Sequence, residues 1–197
     1  MKKNIYILVL VLIQLVSNAQ SFIKVEKGKL IKDEKPYHFV GTNFWYGMNL
    51  AVKDQQRLLR ELDRLNHLGV KNLRIMASSE GSLEMPWSVQ PTMQKEPGIY
   101  NDELWTALDF LLSEMNKREM TAVVCLNNFW PWSGGFAQYV SWANKDEIIP
   151  YPPPAENGDW KKYQQYSARF YSNKSARNWF ENHIKKVINR VNSITKI

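Results

Sequence analysis

The sequence predicts an α/β fold in which a largely parallel sheet is covered by helices. Strand-like and helix-like segments alternate along most of the chain. The main strand-like segments are short and apolar on both faces, as in parallel sheets whose two faces are buried. Each is followed by a long segment rich in aromatic, amide and glycine residues, where the binding sites of α/β barrels gather. A doubly wound sheet has the same element order, but no Gly-x-Gly-x-x-Gly follows the first strand.

Residues 1–19 are predicted to be a secretory signal peptide, not part of the fold. A basic start at 1–3 precedes an apolar run at 5–16, and small residues stand at 17–19. This pattern predicts cleavage after Ala19 and a secreted protein, extracellular or periplasmic. An uncleaved anchor is the alternative, but the run is too short to span a bilayer comfortably. No other segment is apolar enough, so we expect no membrane contact after cleavage.

Three short strand-like runs at 22–25, 29–31 and 37–40 predict an N-terminal β-hairpin or meander. The runs are separated by Glu-Lys-Gly and by Asp-Glu-Lys-Pro, both typical of turns. We therefore expect a small antiparallel unit before the α/β part of the chain.

The first α/β repeat is predicted from an apolar strand that runs into residues 41–47. Leucines then recur at helical spacing over 58–68, with charged residues on the opposite face. Gly69 follows the last of them and suits a helix C-cap. A second strand is predicted at 72–76.

Three further helices are predicted downstream. Asn101 can cap the first of them, which carries an apolar stripe over 104–115. A strand follows at 121–126. The last helix carries its stripe over 180–191, and a short helix is expected at 136–143.

Composition and charge exclude several classes of function. Hydrophobic residues make up 44% and charged residues 23% of the chain, as in soluble globular proteins. The net charge is +7, but basic and acidic residues are interspersed, which disfavours nucleic-acid binding. Cys125 is the only cysteine, and its apolar surroundings predict a buried, inert thiol. His38, His67 and His183 show no ligand spacing, so we expect no metal and no cofactor.

Two strand ends carry the same pair of residue types. Asn43 and Trp45 follow one strand, and Asn127, Asn128 and Trp130 follow another. An indole can cover the C–H face of a sugar ring, while amides bond its hydroxyl edge. The two strand ends therefore predict a carbohydrate cleft. The alternative is that these tryptophans pack beneath the long loops.

Six stretches carry a resemblance that covers nearly all of residues 20–197. They are "GTNFWYGMN", "RLLRELDRLNHLGVKNLRI", "SEGS", "PGIYNDELWTALDFLLSEMNKREMTAVVCLNNFWPWSGGFAQYVSW", "IPYPPP" and "RFYSN". On these residues the sequence resembles the endo-β-1,4-mannanases of glycoside hydrolase family five. The resemblance implies an incomplete (β/α)8 TIM barrel, about its first three β/α units, after an N-terminal β-hairpin. It implies retaining hydrolysis of internal β-1,4-mannosidic bonds of mannans by two glutamates, without a metal or cofactor.

The resemblance also implies roles for three residues. Arg74 matches the arginine at the end of the second barrel strand, which hydrogen-bonds the nucleophilic carboxylate and keeps it ionised. A structural ion pair is the alternative for Arg74. Trp130 matches an aromatic that stacks on a sugar at a leaving-group subsite. Trp45 matches the first-strand aromatic that lines the cleft.

Two more residues, Asn128 and Trp132, are predicted to bind substrate. Asn128 would share a face with Trp130 if the strand stays extended, so we favour it over Asn127. Trp132 could bind a sugar or simply pack within its loop.

The sequence departs from the family at the catalytic glutamates. The acid/base glutamate of the family lies in an Asn-Glu-Pro motif after the fourth strand, and the nucleophile follows the seventh. This sequence has no Asn-Glu-Pro. Glu80, Glu84 and Glu156 are expected at the rim, but none lies in a matching motif. We therefore expect a truncated N-terminal portion, 20–197, that is inactive alone. The alternatives are a non-catalytic carbohydrate-binding protein and a fragment of another family-five glycosidase such as a cellulase.

Overall fold

The structure of the chain is a computed structural model that describes residues 22–81 and 87–197. The predicted signal peptide, residues 1–19, lies outside the described residues. These residues form two compact units that divide between Phe39 and Val40. No helix within the described ranges is both long and apolar enough to cross a membrane.

The first unit is a three-stranded antiparallel sheet of β1 (Lys24–Glu26), β2 (Lys29–Lys32) and β3 (Lys35–Pro36). Two-residue turns join the strands, and Lys27, Gly28, Asp33 and Glu34 all have positive φ. Such turns match the right-handed twist of paired strands. The predicted hairpin is confirmed, but its third strand lies at 35–36 and not at 37–40.

The second unit alternates strands with helices. Its strands are β4 (Val40–Asn43), β5 (Val70–Met76), β6 (Gln94–Glu96), β7 (Ile99–Tyr100) and β8 (Thr121–Cys125). Its helices are α1 (Gly47–Lys53), α2 (Gln55–His67), α3 (Asp102–Lys117), α4 (Gly135–Ala143), α5 (Trp160–Ala168) and α6 (Lys174–Ile188). Single 3-10 turns lie at Pro131–Ser133 and Arg169–Tyr171. Strands β4, β5 and β8 form a parallel sheet in that order, which confirms the predicted α/β class.

The two faces of the parallel sheet have different surroundings. Leu73 and Ile75 of β5 are fully buried against the helices, and the β8 residues opposite them, Ala122 and Val124, are partly buried in the same core. The other face carries Asn43, Arg74 and Val123 side by side in register. Val123 is 49% exposed, so the expectation that both faces are buried is wrong for this part of the chain. Successive strand residues point to opposite faces, which is why neighbouring positions differ so sharply.

Four helices begin with a capping side chain. The capping residue accepts a hydrogen bond from a first-turn backbone N–H, which would otherwise lack a partner. The capping residues are Asp54 for α2, Asn101 for α3, Asp159 for α5 and Asn173 for α6. The predicted cap at Asn101 is thus confirmed.

Two of the predicted helices, those with apolar stripes over 58–68 and 180–191, extend too far at their C-terminal ends. Leu68, Ile188 and Val191 were assigned to apolar stripes, but each is more than 60% exposed. After α6 the chain instead bonds back to α3, where Arg190 makes two hydrogen bonds with the Asp109 carboxylate, of 2.9 and 2.7 Å. The short helices α1 and α5 were not predicted.

Two apolar cores stabilise the second unit. The first lies between the parallel sheet and helices α1 to α3, and Met48, Leu58 and Leu111 are fully buried in it. The second lies among α4, α5 and α6 and is largely aromatic, with Tyr139 and Tyr163 fully buried. The second core supports the long connection after β8, which carries part of the site described next.

Candidate functional site

A cleft of about 810 Å³ opens at the carboxyl ends of the parallel strands. Five of the eight tryptophans of the chain line it: Trp45, Trp87, Trp130, Trp132 and Trp160. Its polar lining includes Asn43, Arg74, Ser88 and Asn128. The cleft therefore combines large indole faces with a few amide, hydroxyl and guanidinium groups.

The cleft tryptophans form two contacting pairs. The ring centroids of Trp45 and Trp132 are 4.5 Å apart, at an interplanar angle of 50°. Those of Trp130 and Trp160 are 5.4 Å apart and nearly perpendicular, at 89°. Trp130 is 52% exposed and Trp160 is 37% exposed. Each pair fixes the orientation of its rings, while much of the second pair remains accessible to a ligand.

Arg74 and Asn43 lie side by side on adjacent strands of the cleft floor. The Nη1 of Arg74 donates to the Oδ1 of Asn43 at 3.2 Å, and the two residues are partners in the strand register. Both residues are exposed. The guanidinium therefore keeps free N–H donors that can reach a carboxylate or a sugar hydroxyl.

Residues 129–135, here called the tryptophan segment, carry Trp130 and Trp132 and are held by Glu80. The backbone N–H of Glu80 donates to the carbonyl of Ser133 at 2.9 Å. The Oε2 of Glu80 accepts from the backbone N–H of Gly135 at 2.9 Å. Glu80 thus bonds the segment through both its backbone and its side chain.

Burial sets the protonation of Glu80. The residue is 1% exposed. Burial raises its pKa from 4.5 to about 8, and the hydrogen bond from Gly135 opposes that shift only in part. Since a buried charge without a counterion is costly, the carboxyl is neutral at pH 7. Burial, with a smaller contribution from the Glu80 charge, also raises the pKa of Tyr100 to about 12.

The Gly-Gly pair of the tryptophan segment is required by close packing. Gly134 has φ +85°, and a Cβ there would lie 2.1 Å from the carbonyl oxygen of Glu80. Gly135 has φ +63°, and a Cβ there would lie 2.0 Å from the carbonyl oxygen of Asn128. Both the positive φ and the contacts exclude a side chain. These two glycines bring the segment against the ends of β5 and β8.

A model of the family described as "GH family 5 beta-mannosidase-like" matches residues 20–197. The chain belongs to this family.

Curated and structural relatives agree with this family. Mannan endo-1,4-beta-mannosidase 5 of Solanum lycopersicum is 30% identical over 182 residues, which is 91% of this chain and 39% of that protein. The glycoside hydrolase family 5 mannosidase of Rhizomucor miehei superimposes with a TM-score of 0.84 at 37% identity, covering 90% of this chain and 45% of that one. The endo-1,4-beta-mannanase of the same organism shares the fold, with a TM-score of 0.66 at 23% identity. The chain thus spans less than half the length of these relatives, and the expected incomplete TIM barrel is confirmed.

All five residues predicted for the family-five site line the one cleft. These are Trp45, Arg74, Asn128, Trp130 and Trp132. Asn127, which we disfavoured, does not line it. Trp132 both packs on Trp45 and faces the cleft, so the two alternatives for it are compatible. The substrate-binding and catalytic roles of the five residues remain predictions.

The three glutamates expected at the rim have different locations. Glu80 is buried beneath the tryptophan segment, so its placement at the rim was wrong. Its side chain is enclosed because the two glycines let the segment close over it. Glu156 is exposed and does not line the cleft, and Glu84 lies outside the described residues. Among the described residues that line the cleft, none is an aspartate or glutamate.

Sequence reasoning missed Trp87 and Trp160 as cleft residues. Trp87 lies in the long connection after β5, and Trp160 is the first residue of α5 in the region after β8. Neither has a strand end beside it to mark the site. A tryptophan in a long loop of an α/β barrel, at the carboxyl side of the strands, was the available signal.

The described residues contain no group of three or more histidine, cysteine, aspartate or glutamate side chains that could hold a metal ion. Cys125 is a free thiol and is half-buried, whereas we expected full burial. It lies on β8 beside Met76 of β5, on the face of the sheet that the helices do not cover. Cys125 does not line the cleft.

Proposed function

We propose that this chain forms the N-terminal, substrate-binding part of a secreted endo-β-1,4-mannanase, which hydrolyses internal β-1,4-mannosidic bonds with retention. The observation that carries the proposal is the convergence of five tryptophans on one cleft at the carboxyl ends of the strands. The names of the relatives support mannan as the substrate class, and one structure of the Rhizomucor miehei mannosidase is a complex with mannosyl-fructose.

The cleft suits a sugar chain for chemical reasons. Exposed indole faces at Trp130 and Trp160 can stack on the apolar faces of sugar rings. Amide groups at Asn43 and Asn128 and the guanidinium of Arg74 can bond the hydroxyl edges. This division between apolar walls and few polar groups is typical of sites that orient a ligand.

The described residues do not supply the catalytic chemistry. Retaining hydrolysis needs two carboxyl groups about 5–5.5 Å apart, one as acid/base and one as nucleophile. No described lining residue carries a carboxyl group, and Glu80 is enclosed. We therefore propose that the polypeptide 20–197 binds mannan-type oligosaccharides but does not cleave them. Arg74 would orient the nucleophile in a barrel that contains it.

The test compares binding with cleavage in the same preparation. We expect β-1,4-mannooligosaccharides to shift the tryptophan emission of residues 20–197 in a saturable way, and cello-oligosaccharides to shift it less. We expect no release of reducing ends from mannan above a buffer control. Preferential binding of cello-oligosaccharides would favour a cellulase, and release of reducing ends would contradict the assignment of a non-catalytic portion.

A carbohydrate-binding protein without any catalytic partner is the second candidate. The observation that favours it is the same absence of carboxylates from the described lining of the cleft. The two candidates differ in what the gene encodes after codon 197. A continuing reading frame with Asn-Glu-Pro supports the enzyme, whereas a genuine stop codon supports the binding protein.

A further inference from the structure

Glu80 lies directly beneath the tryptophan segment and contacts it at three points. Its backbone N–H bonds the carbonyl of Ser133, and its Oε2 accepts from the N–H of Gly135, both at 2.9 Å. Its own carbonyl oxygen packs where a Cβ on Gly134 would lie 2.1 Å away. Glu80 itself is fixed to β6 through a bridge with Gln94. Glu80 thus links the 133–135 end of the tryptophan segment to β6.

Other contacts hold different parts of the tryptophan segment. The backbone N–H of Val89 donates to the carbonyl of Trp132 at 2.8 Å, and the hydroxyl of Tyr163 donates to the carbonyl of Phe129 at 2.8 Å. These bonds come from a connection and from α5. Neither bond involves residues 133–135, which are hydrogen-bonded to Glu80.

The surroundings of the Glu80 carboxyl suit a neutral group. The titratable groups coupled to it are Tyr100 on β7, Tyr139 on α4 and Tyr163 on α5, whose pKa values burial and, to a smaller extent, the Glu80 charge raise, so all three are neutral near pH 7. Its Oε1 is buried without a hydrogen-bond partner among the described residues. With its pKa near 8, the group is a neutral acid at pH 7 that accepts one backbone hydrogen bond. Ionisation would place a charge that no cation offsets among the described residues, and opening of the segment would let water hydrate that charge.

We propose that Glu80 is a positioning residue, which holds the tryptophan segment so that Trp130 and Trp132 present a fixed surface to the sugar chain. The proposal rests on the proposed function for its ligand. The anchoring of the segment itself does not depend on any ligand. Glu80 touches no substrate in this role, because it is enclosed beneath the segment that does.

Hydrogen–deuterium exchange of the full chain tests the anchor without a ligand. In Glu80→Ala we expect the amides of residues 133–135 to exchange about tenfold faster at about pH 6, because the bond to Gly135 is lost. Glu80→Gln retains a side-chain oxygen for that bond, and we expect exchange close to that of the unsubstituted chain. Asp109→Ala is the control, since it removes another buried carboxylate, one on α3 whose hydrogen-bond partners lie at 190–193 and not in the tryptophan segment.

The pH dependence separates anchoring from a general loss of stability. At about pH 9, above the Glu80 pKa of about 8, we expect the unsubstituted chain to exchange faster at 133–135 than Glu80→Gln at the same pH. We also expect Glu80→Ala to weaken mannooligosaccharide binding about tenfold and Glu80→Gln to restore it. If Glu80→Ala does not fold, the comparison with Glu80→Gln at two pH values decides the question.

Two results would overturn the proposal. One is exchange at 133–135 that rises no more in Glu80→Ala than in Asp109→Ala. The other is equal exchange of the unsubstituted chain and Glu80→Gln at about pH 9. If the unsubstituted chain binds no mannooligosaccharide, the proposed function is wrong. The exchange data would still test whether Glu80 anchors the tryptophan segment.

Discussion

Trp130 and Arg74 line the same cleft but have different neighbours: Trp130 contacts an indole ring, and Arg74 hydrogen-bonds an amide. Trp130 offers half of its surface to solvent and touches Trp160 edge to face. Arg74 bonds an amide on the neighbouring strand and keeps its other N–H donors free of protein acceptors within the described contacts. Neither residue contributes to the buried cores, so substitution of either should change recognition more than stability.

Replacing Trp130 with alanine tests the stacking surface. We expect Trp130→Ala to weaken binding of β-1,4-mannooligosaccharides about tenfold, which corresponds to about 1.4 kcal/mol, because an exposed indole face is lost. Isothermal titration calorimetry measures the affinity, and thermal unfolding checks that the fold persists.

Ile148→Ala is the control for that experiment. Ile148 is 90% exposed and does not line the cleft, so its loss removes apolar surface without touching the site. Unchanged affinity in Trp130→Ala, or an equal loss in both variants, would remove Trp130 from the binding surface.

At the scale of elements, the capping residues determine where helices start. Asn101 precedes α3 and accepts a hydrogen bond from the N–H of Glu103 at 3.0 Å. Asp102 and Glu103 add negative charge to the first turn, which the helix dipole favours. Helix α3 carries much of the first core, including Leu104, so its start also fixes how it packs on the sheet.

The cap on α3 can be tested with a paired substitution on the same helix. We expect Asn101→Ala to lower the free energy of unfolding by about 1 kcal/mol, since a first-turn N–H loses its acceptor. Asn116→Ala should be neutral or slightly stabilising, because Asn116 is exposed near the C-terminal end and alanine is the better helix former. Urea unfolding measures both. Equal effects of the two substitutions would show that the cap contributes nothing.

At the scale of the whole molecule, two buried groups should determine how stability varies with pH. Burial raises the pKa of Glu80 from 4.5 to about 8. Burial lowers the pKa of His183 from 6.5 to about 4, and the nearby backbone of Ala77 opposes this only in part. His183 is fully buried and stacks on Tyr100, with the two ring centroids 5.8 Å apart. Each group therefore binds protons differently in the folded and unfolded chains.

The sign of the pH dependence follows from which state holds the proton. Between pH 4.5 and about 8 the folded chain keeps a proton on Glu80 that the unfolded chain has lost, so stability falls as pH rises. Between about pH 4 and 6.5 the unfolded chain holds a proton on His183 that the folded chain lacks, so stability rises with pH. The two effects oppose each other up to pH 6.5, and above it Glu80 acts alone.

We expect the free energy of unfolding to change little between about pH 5 and 6.5 and to fall between about pH 6.5 and 8. The fall in the free energy of unfolding should be absent in Glu80→Gln, because the glutamine side chain has no titratable proton. Urea unfolding at a series of pH values measures the profile. A fall of the same size in Glu80→Gln would assign it to another group.

Arg74 was assigned to the site through the family resemblance. The α/β class, the parallel strands, the cap at Asn101 and the aromatic and amide residues at two strand ends were predicted from the residues themselves. These follow from local signals: the period of apolar residues, the preference of asparagine for helix starts, and the rule that parallel strands end at one edge. The exposed ends at Leu68 and Val191 were misassigned because period alone does not show where a helix leaves the core.

The burial of Glu80 and the positions of Trp87 and Trp160 in the cleft depend on long-range packing. Burial of Glu80 depends on Gly134 and Gly135 closing over it from a segment 55 residues away in the sequence, which no local pattern encodes. The second, aromatic core fixes the long connection that brings Trp160 to Trp130. The residues at strand ends can be predicted from the sequence because their positions depend on neighbours along the chain. Burial and protonation depend on neighbours in space.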